Sequence, residues 1–159
     1  MIFDKENLLK TFEGIPEIIE KYFLNIPEDC LDKKRSEISW TIREHLYHVA
    51  GVQDMLYKRI LNIKNEENPV VKPYFPENEP EGVSLYESVQ KAFSHYKEIR
   101  RKQILLINQL TESEFGKEAK HDEYTRYNIP IIINHMIFHE YWHMYRIEEI
   151  WLTRDEYFS

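Results

Sequence analysis

The stretch NIPIIINHMIFHEYWHMYRIEEIW, residues 128–151, decides how the rest of this chain folds. It is far too long for a strand, and its apolar positions do not alternate. Asn128 followed by Pro130 is a helix start: the amide oxygen takes a backbone N–H that the first turn leaves unpaired, and the proline sits where its missing N–H costs nothing. A single helix is therefore expected from Asn128 to Trp151. Within it His135, His139 and His143 recur every four residues. Four residues advance about 40° around a helix axis, so the three imidazoles share one side, each a turn above the last. Two histidines at i and i+4 can reach one metal ion, so three in register on a helix facing a protein interior point to a metal site.

A helix this apolar needs other helices around it. Leu8, Phe12, Ile15, Ile19, Tyr22 and Ile26 form an earlier apolar face, interrupted by Pro16, which is expected to bend or restart that helix. Thr41 and Glu44 form a capping box opening a second helix through Leu46, Val49, Gln53, Leu56 and Ile60. Residues 64–82 hold Pro69, Pro73, Pro76 and Pro80 and read as a long surface connection, long enough to cross a bundle. Ser84 and Glu87 form a second capping box, expected to open a helix through Leu85, Val89, Ala92, Tyr96, Ile99, Gln103, Leu106 and Leu110. Residues 111–127 are polar and connect it to the last helix. Four amphipathic segments without an alternating strand predict an all-α protein, a four-helix bundle with a long connection between helices two and three, as one domain over residues 1–159.

The composition narrows the function. Net charge is −7, with 28 Asp and Glu against 21 Lys and Arg, so no nucleic-acid or anionic-membrane partner is expected. Cys30 is the lone cysteine, so no disulfide can form within the chain, which fits a reducing compartment. The first residues show no basic stretch followed by an apolar one, and no apolar run approaches the ~20 residues of a membrane span. The expectation is a cytoplasmic protein.

The last helix needs a further ligand from elsewhere. His45 and His48 both lie on the second helix, and periodicity does not choose between them. The run Trp40-Thr41-Ile42-Arg43-Glu44-His45-Leu46-Tyr47-His48 resembles the W-x-x-x-E-H-L-x-H signature of the DinB-like, YfiT-type superfamily. His139-x-x-x-His143 followed by Ile147 resembles its closing H-x-x-x-H-x-G-Q-I motif, with Tyr145-Arg146 in place of Gly-Gln. The resemblance spans nearly the whole chain. It implies His48, His139 and His143 as ligands of one divalent metal ion (Zn, Ni or Fe). His135 is an additional histidine that departs from the family pattern, read as supporting a ligand or as packing rather than as a fourth ligand.

Three neutral imidazoles leave the ion its full charge and an exchangeable position, enough to lower the pKa of water or to hold a thiol as thiolate. The resemblance implies the second: a metal-dependent enzyme on a small-molecule substrate, most simply a thiol-dependent S-transferase with a low-molecular-weight thiol as cosubstrate. The alternatives are a metal-dependent hydrolase using water at the metal, and a non-catalytic metal- or ligand-binding stress-response protein. Glu140 and Arg146 are the candidate catalytic groups. Glu140 would activate water, or be a solvated or ion-paired helix residue. Arg146 would favour a carboxylate or phosphate, or pair with an acid on a neighbouring helix. His139-Glu140-x-x-His143 also matches the zinc-protease pattern, but no sheet is expected to align a peptide. A ferritin-like site would need a second Glu-x-x-His pair, which is absent.

One expectation concerns assembly. Ile132, Met136 and Ile150 share the histidine side of the last helix. The opposite side shows Ile133, Ile137, Tyr141 and Met144, with Glu148 its principal charge. Such a strip predicts a homodimer packed partly through this helix.

Overall fold

The computed structural model describes residues 4–74 and 86–157. Four long helices make the bundle: α1 (Lys5–Asn25), α2 (Ile42–Asn65), α3 (Val89–Asn108) and α5 (Ile129–Leu152), with a short α4 (Glu112–Phe115) between the last two. Around the bundle α1 packs on α3 and α5, and α2 on the same two, which leaves α1 and α2 diagonal to each other. Tyr47 meets Tyr86, Asp54 meets His95 and Gln53 meets Gln103, so α2 and α3 run parallel. His45 meets His143 and His48 meets His139, so α5 runs against them. The directions are up, down, down, up. The long connection between α2 and α3 thus travels the length of the bundle, as its size allowed.

The caps follow the sequence at two of the predicted starts. Thr41 and Glu44 form a reciprocal box at α2, and Asn128 accepts from the backbone N–H of Ile131 with Pro130 in the first turn of α5. The third start differs. Tyr86 to Ser88 are not helical; α3 begins at Val89, and Ser88 accepts from Lys91 N. A serine caps only if its own backbone is extended, and Ser88 is; Ser84 and Leu85 lie outside the described residues. The polar segment 111–127 also carries structure: a capping box of Thr111 and Glu114 at α4, and a parallel pair of two-residue strands, β1 (Val70–Val71) and β2 (Lys120–His121). This pair ties the connection leaving α2 to the one entering α5.

Pro16 does not restart α1, which continues from Lys5 to Asn25. The missing N–H at Pro16 leaves the Phe12 carbonyl without its helical donor, and Nη1 of Arg100 donates to that oxygen at 3.3 Å. The guanidinium also lies 3.8 Å from the centroid of the Phe12 ring.

The strip expected to mediate a dimer is covered within the chain. Ile133, Ile137 and Met144 are buried, because α1 packs along α5 and brings Phe12, Ile15 and Ile19 into the same core. The hydrophobic strip that predicted an assembly is an ordinary part of the bundle interior; Tyr141 is its exposed exception.

Candidate metal centre

His48 reaches the site from the second turn of α2, while His139 and His143 reach it from consecutive turns of α5. Among the described residues, these three form the group whose potential ligand atoms converge, all within 4.8 Å of one another. The Nε2 atoms of His48 and His139 are 3.1 Å apart, as are those of His139 and His143. Two nitrogens bound to one ion at about 2.0–2.1 Å stand this far apart. Hydrogen bonding fits less well. An imidazole nitrogen offers either one N–H or one lone pair, so Nε2 of His139 cannot make two ordinary hydrogen bonds at once. Three lone pairs directed at a common point satisfy the geometry without that conflict.

Burial keeps those lone pairs available. His48 and His143 are buried and His139 is half-buried. Loss of solvation pushes the pKa of His48 down to about 4 and that of His139 down to about 3, the latter helped by His48 and His135. His143 is lowered by the same desolvation and by its three histidine neighbours.

His45, the other candidate ligand on α2, has a different place. Its Nδ1 lies 2.8 Å from Nδ1 of His143. With His143 using Nε2 toward the common point, its Nδ1–H donates to His45, whose own proton then sits on Nε2. This is the position from which an outer partner would orient a metal-binding histidine. Desolvation, then the charges of Arg146 and His48, push His45 down to about 4 and hold it neutral. His135 is exposed and stacks on His139 at a centroid distance of 6.0 Å, outside the converging group.

The chain folds an aromatic cover over this cluster. The segment before α2 is held by Ile42 N donating to Lys33 O and Arg43 N donating to Leu31 O. It lays Trp40 against His48 at 4.9 Å and nearly parallel to His143 at 5.9 Å. Trp142 packs edge-on to His143 from α5. A cavity of about 460 Å³ opens between them, lined by Ser39, the two tryptophans, the four histidines 45, 48, 139 and 143, and Arg146.

The two candidate catalytic residues part company. Arg146 lines this cavity, and its Nη1 donates to Glu149 at 2.6 Å on its own helix, not on a neighbouring one. Glu140 is fully buried and lines neither this cavity nor the one beyond His48. Its carboxylate accepts from Gln53 Nε2 at 2.9 Å, Tyr96 Oη at 3.1 Å and Arg100 Nη2. The expectation of a water-activating or solvated Glu140 is corrected, and its ion-paired alternative is what the structure has, with Arg100: the residue before it points to the imidazole cluster, and one step of about 100° turns Glu140 into the bundle core.

On the far side of His48 and His139 lies a second cavity of about 250 Å³, whose wall includes Val52, Met55, Arg59, His121, Tyr124 and Tyr127. Sequence reasoning missed this wall, because His121, Tyr124 and Tyr127 come from a segment without helical period. Their common spacing of three residues was its one visible sign.

A family model of the DinB superfamily matches residues 11–151. A protein of Oceanobacillus iheyensis, assigned provisionally by its name to the metal-dependent hydrolases, is 25% identical over 118 residues, covering 72% of this chain and 67% of that protein. YfiT of Bacillus subtilis, described provisionally as a metal-dependent hydrolase with an unusual four-helix bundle topology, superposes with a TM-score of 0.78 at 19% identity, over 93% of this chain and 87% of that one. A DinB-like protein of Bacillus subtilis, YjoA, superposes with a TM-score of 0.58 at 16% identity, over 93% of this chain and 94% of that one.

Proposed function

This chain belongs to the DinB superfamily, and from that premise we propose that it is a metal-dependent enzyme that joins the sulfur of a small thiol to an electrophilic small molecule, using a divalent ion on His48, His139 and His143. The observation that carries the reading is the pairing of three converging Nε2 atoms with a cavity wall that contains an arginine and no carboxylate. A divalent ion on three neutral imidazoles supplies a Lewis acid that favours thiolate over thiol near neutral pH. No side-chain base is then needed, which suits a wall without one. Arg146 would hold a carboxylate of either reactant, and Glu149 would keep its guanidinium in place. Trp40 and Trp142 would exclude water from the thiol's side of the ion. A carbon–sulfur bond forms as the carbon releases its leaving group, and the thiol proton passes to solvent.

The second reading is hydrolysis. The descriptions of the Oceanobacillus relative and of YfiT favour it, as does Glu123, a carboxylate in the wall of the second cavity. Under that reading the base would be Glu123, because Glu140 is engaged in the core. A panel of small thiols and electrophiles, with and without chelation, separates the two. Thiol-dependent, chelator-sensitive product supports transfer. Ester or amide cleavage lost in Glu123→Gln supports hydrolysis. Retained small-molecule binding without turnover points to a binding protein.

Two broader readings belong with this proposal. The acidic charge and lone cysteine fit a cytoplasmic protein without a nucleic-acid partner, and no described helix is long and apolar enough to cross a membrane. A homodimer would now use Phe138, Tyr141, Trp142 and Tyr145, which are exposed along one side of α5. Light scattering near 39 kDa, twice the 19.5 kDa chain, would support it, and 19.5 kDa would oppose it.

A further inference from the structure

We propose that the second cavity, beyond His48 and His139, is a binding site for a planar aromatic compound bearing a hydrogen-bond acceptor such as a carbonyl. If the metal-enzyme reading holds, this would be the site of the electrophile, because the two cavities share His48 and His139 as their common wall.

The surfaces of the cavity set the shape. Val52, Met55 and Leu56 lie three and four residues apart on α2 and form an aliphatic floor. Facing it is an aromatic cluster in which His121 lies tilted against Tyr127 at 4.5 Å, and Tyr124 stands edge-on to both, at 4.9 Å from His121 and 5.4 Å from Tyr127. His135 stacked on His139 continues the aromatic lining. A flat ring between flat faces and an aliphatic floor buries the most area for this shape, and aromatic pairs add to that burial. About 250 Å³ exceeds the ~150 Å³ that admits benzene in an apolar protein cavity, leaving room for one substituent.

The polar groups set the chemistry. His121 Nδ1 accepts from the backbone N–H of Glu123 at 3.1 Å, which leaves the neutral ring's proton on Nε2 as a donor. Arg59 donates to the Tyr127 hydroxyl at 3.1 Å and to the Lys72 carbonyl at 2.6 Å, so the guanidinium is a strut holding the wall, and the Tyr127 O–H remains able to donate. An N–H and an O–H from one aromatic cluster favour an acceptor on the ligand, and the Glu123 carboxylate in the same wall favours a neutral acceptor over an anion. The β1–β2 pairing, with Lys120 N donating to Pro69 O at 2.9 Å, fixes His121 at this wall.

Acetophenone, an aromatic ring with one carbonyl, is the probe, and cyclohexyl methyl ketone is its non-planar control. Binding to the full chain is followed by protein-observed NMR and calorimetry, before and after chelation. The expected result is saturable one-to-one binding on the order of 1 mM or tighter, as for an efficient small fragment, weaker for the cyclohexyl control and persisting after chelation. Met55→Trp fills the cavity from a half-buried position and should abolish binding. Tyr124→Ala removes an exposed ring of the wall without disturbing the core and should weaken it roughly 2- to 10-fold. No saturation, equal affinity for the cyclohexyl ketone, loss on chelation, or full binding in both variants would each overturn the proposal. Because binding is read without turnover or metal, it can fail while the enzyme reading stands, and the reverse.

Discussion

α5 carries two buried polar clusters, side by side on consecutive residues, and they are built on opposite plans. Around Glu140 every nitrogen donor atom of Arg100, Gln53 and Gln103 has an acceptor. Arg100 donates from Nε to Gln103, from Nη1 to Phe12 O, and from Nη2 to Gln53 and Glu140. Gln53 and Gln103 donate in turn to Val49 O, Glu140 and Gln53. Four helices contribute, and nothing from outside is needed. Around His139 and His143 the count does not close: Nε2 faces Nε2 with one proton or lone pair per nitrogen. A cluster complete in itself holds helices together, whereas one that lacks a partner is built to receive one.

The sharpest way to break this contrast is to cut the closed cluster. Glu140→Ala leaves Arg100 buried without its counter-charge and should cost about 3–5 kcal/mol in denaturant unfolding. Arg100→Met together with Glu140→Met should cost less than Glu140→Ala alone, since both charges go at once. A stable Glu140→Ala chain that loses its metal would instead place Glu140 with the open cluster.

Acid tests the open cluster next. His48 is lowered from 6.5 to about 4 by burial, so between those values the unfolded chain binds a proton that the folded chain resists. The stability gained from this imidazole is therefore complete above pH 6.5 and lost as pH falls toward 4, about 3 kcal/mol for a shift of this size. Metal-free protein should show the loss in unfolding midpoints across that range. An unchanged midpoint would mean the ring is solvated.

How much of this was legible in the sequence follows the same division. The open cluster was, because i, i+4 spacing on one long helix is a local property: His139 and His143 needed only the periodicity of α5. His48 over His45 was not, because both lie near one helical face; resemblance chose His48, which converges with His139 and His143, while His45 instead touches His143 at Nδ1. The closed cluster was invisible. Arg100 sits among Arg101 and Lys102 and reads as solvated, yet it is 1% exposed, drawn inward by a carbonyl that a proline eleven residues from the start of its helix had orphaned. The strip of Ile133, Ile137 and Met144 misled because a bundle core surrounds α5 on two sides, and periodicity cannot say which neighbour covers which.

Metal occupancy comes after acid in size. Purified chain should carry about one ion, and ion at about 100 times its Kd should stabilise the fold by about 2.7 kcal/mol. His48→Ala and His143→Ala should lose both the ion and the stabilisation. Full occupancy in either variant would remove that histidine from the site.

The smallest effect separates ligand from orienting partner. His45 touches His143 at Nδ1 and contributes no atom to the converging group, so its loss should loosen the ion without expelling it. Removing such a partner costs about 10- to 100-fold in metal affinity. His45→Phe keeps a ring between Trp40 and Trp142 but offers nothing to the Nδ1–H of His143. His45→Asn loses the ring but places an amide oxygen near the position of Nδ1, where it can accept that proton. If orientation of His143 is the role of His45, competition against a chelator should rank affinity as wild type, then Asn, then Phe. Equal affinity in Asn and Phe would reduce His45 to packing between the tryptophans. Complete loss of the ion in both would make it a fourth ligand, and the geometry at His143 would then have to change on binding.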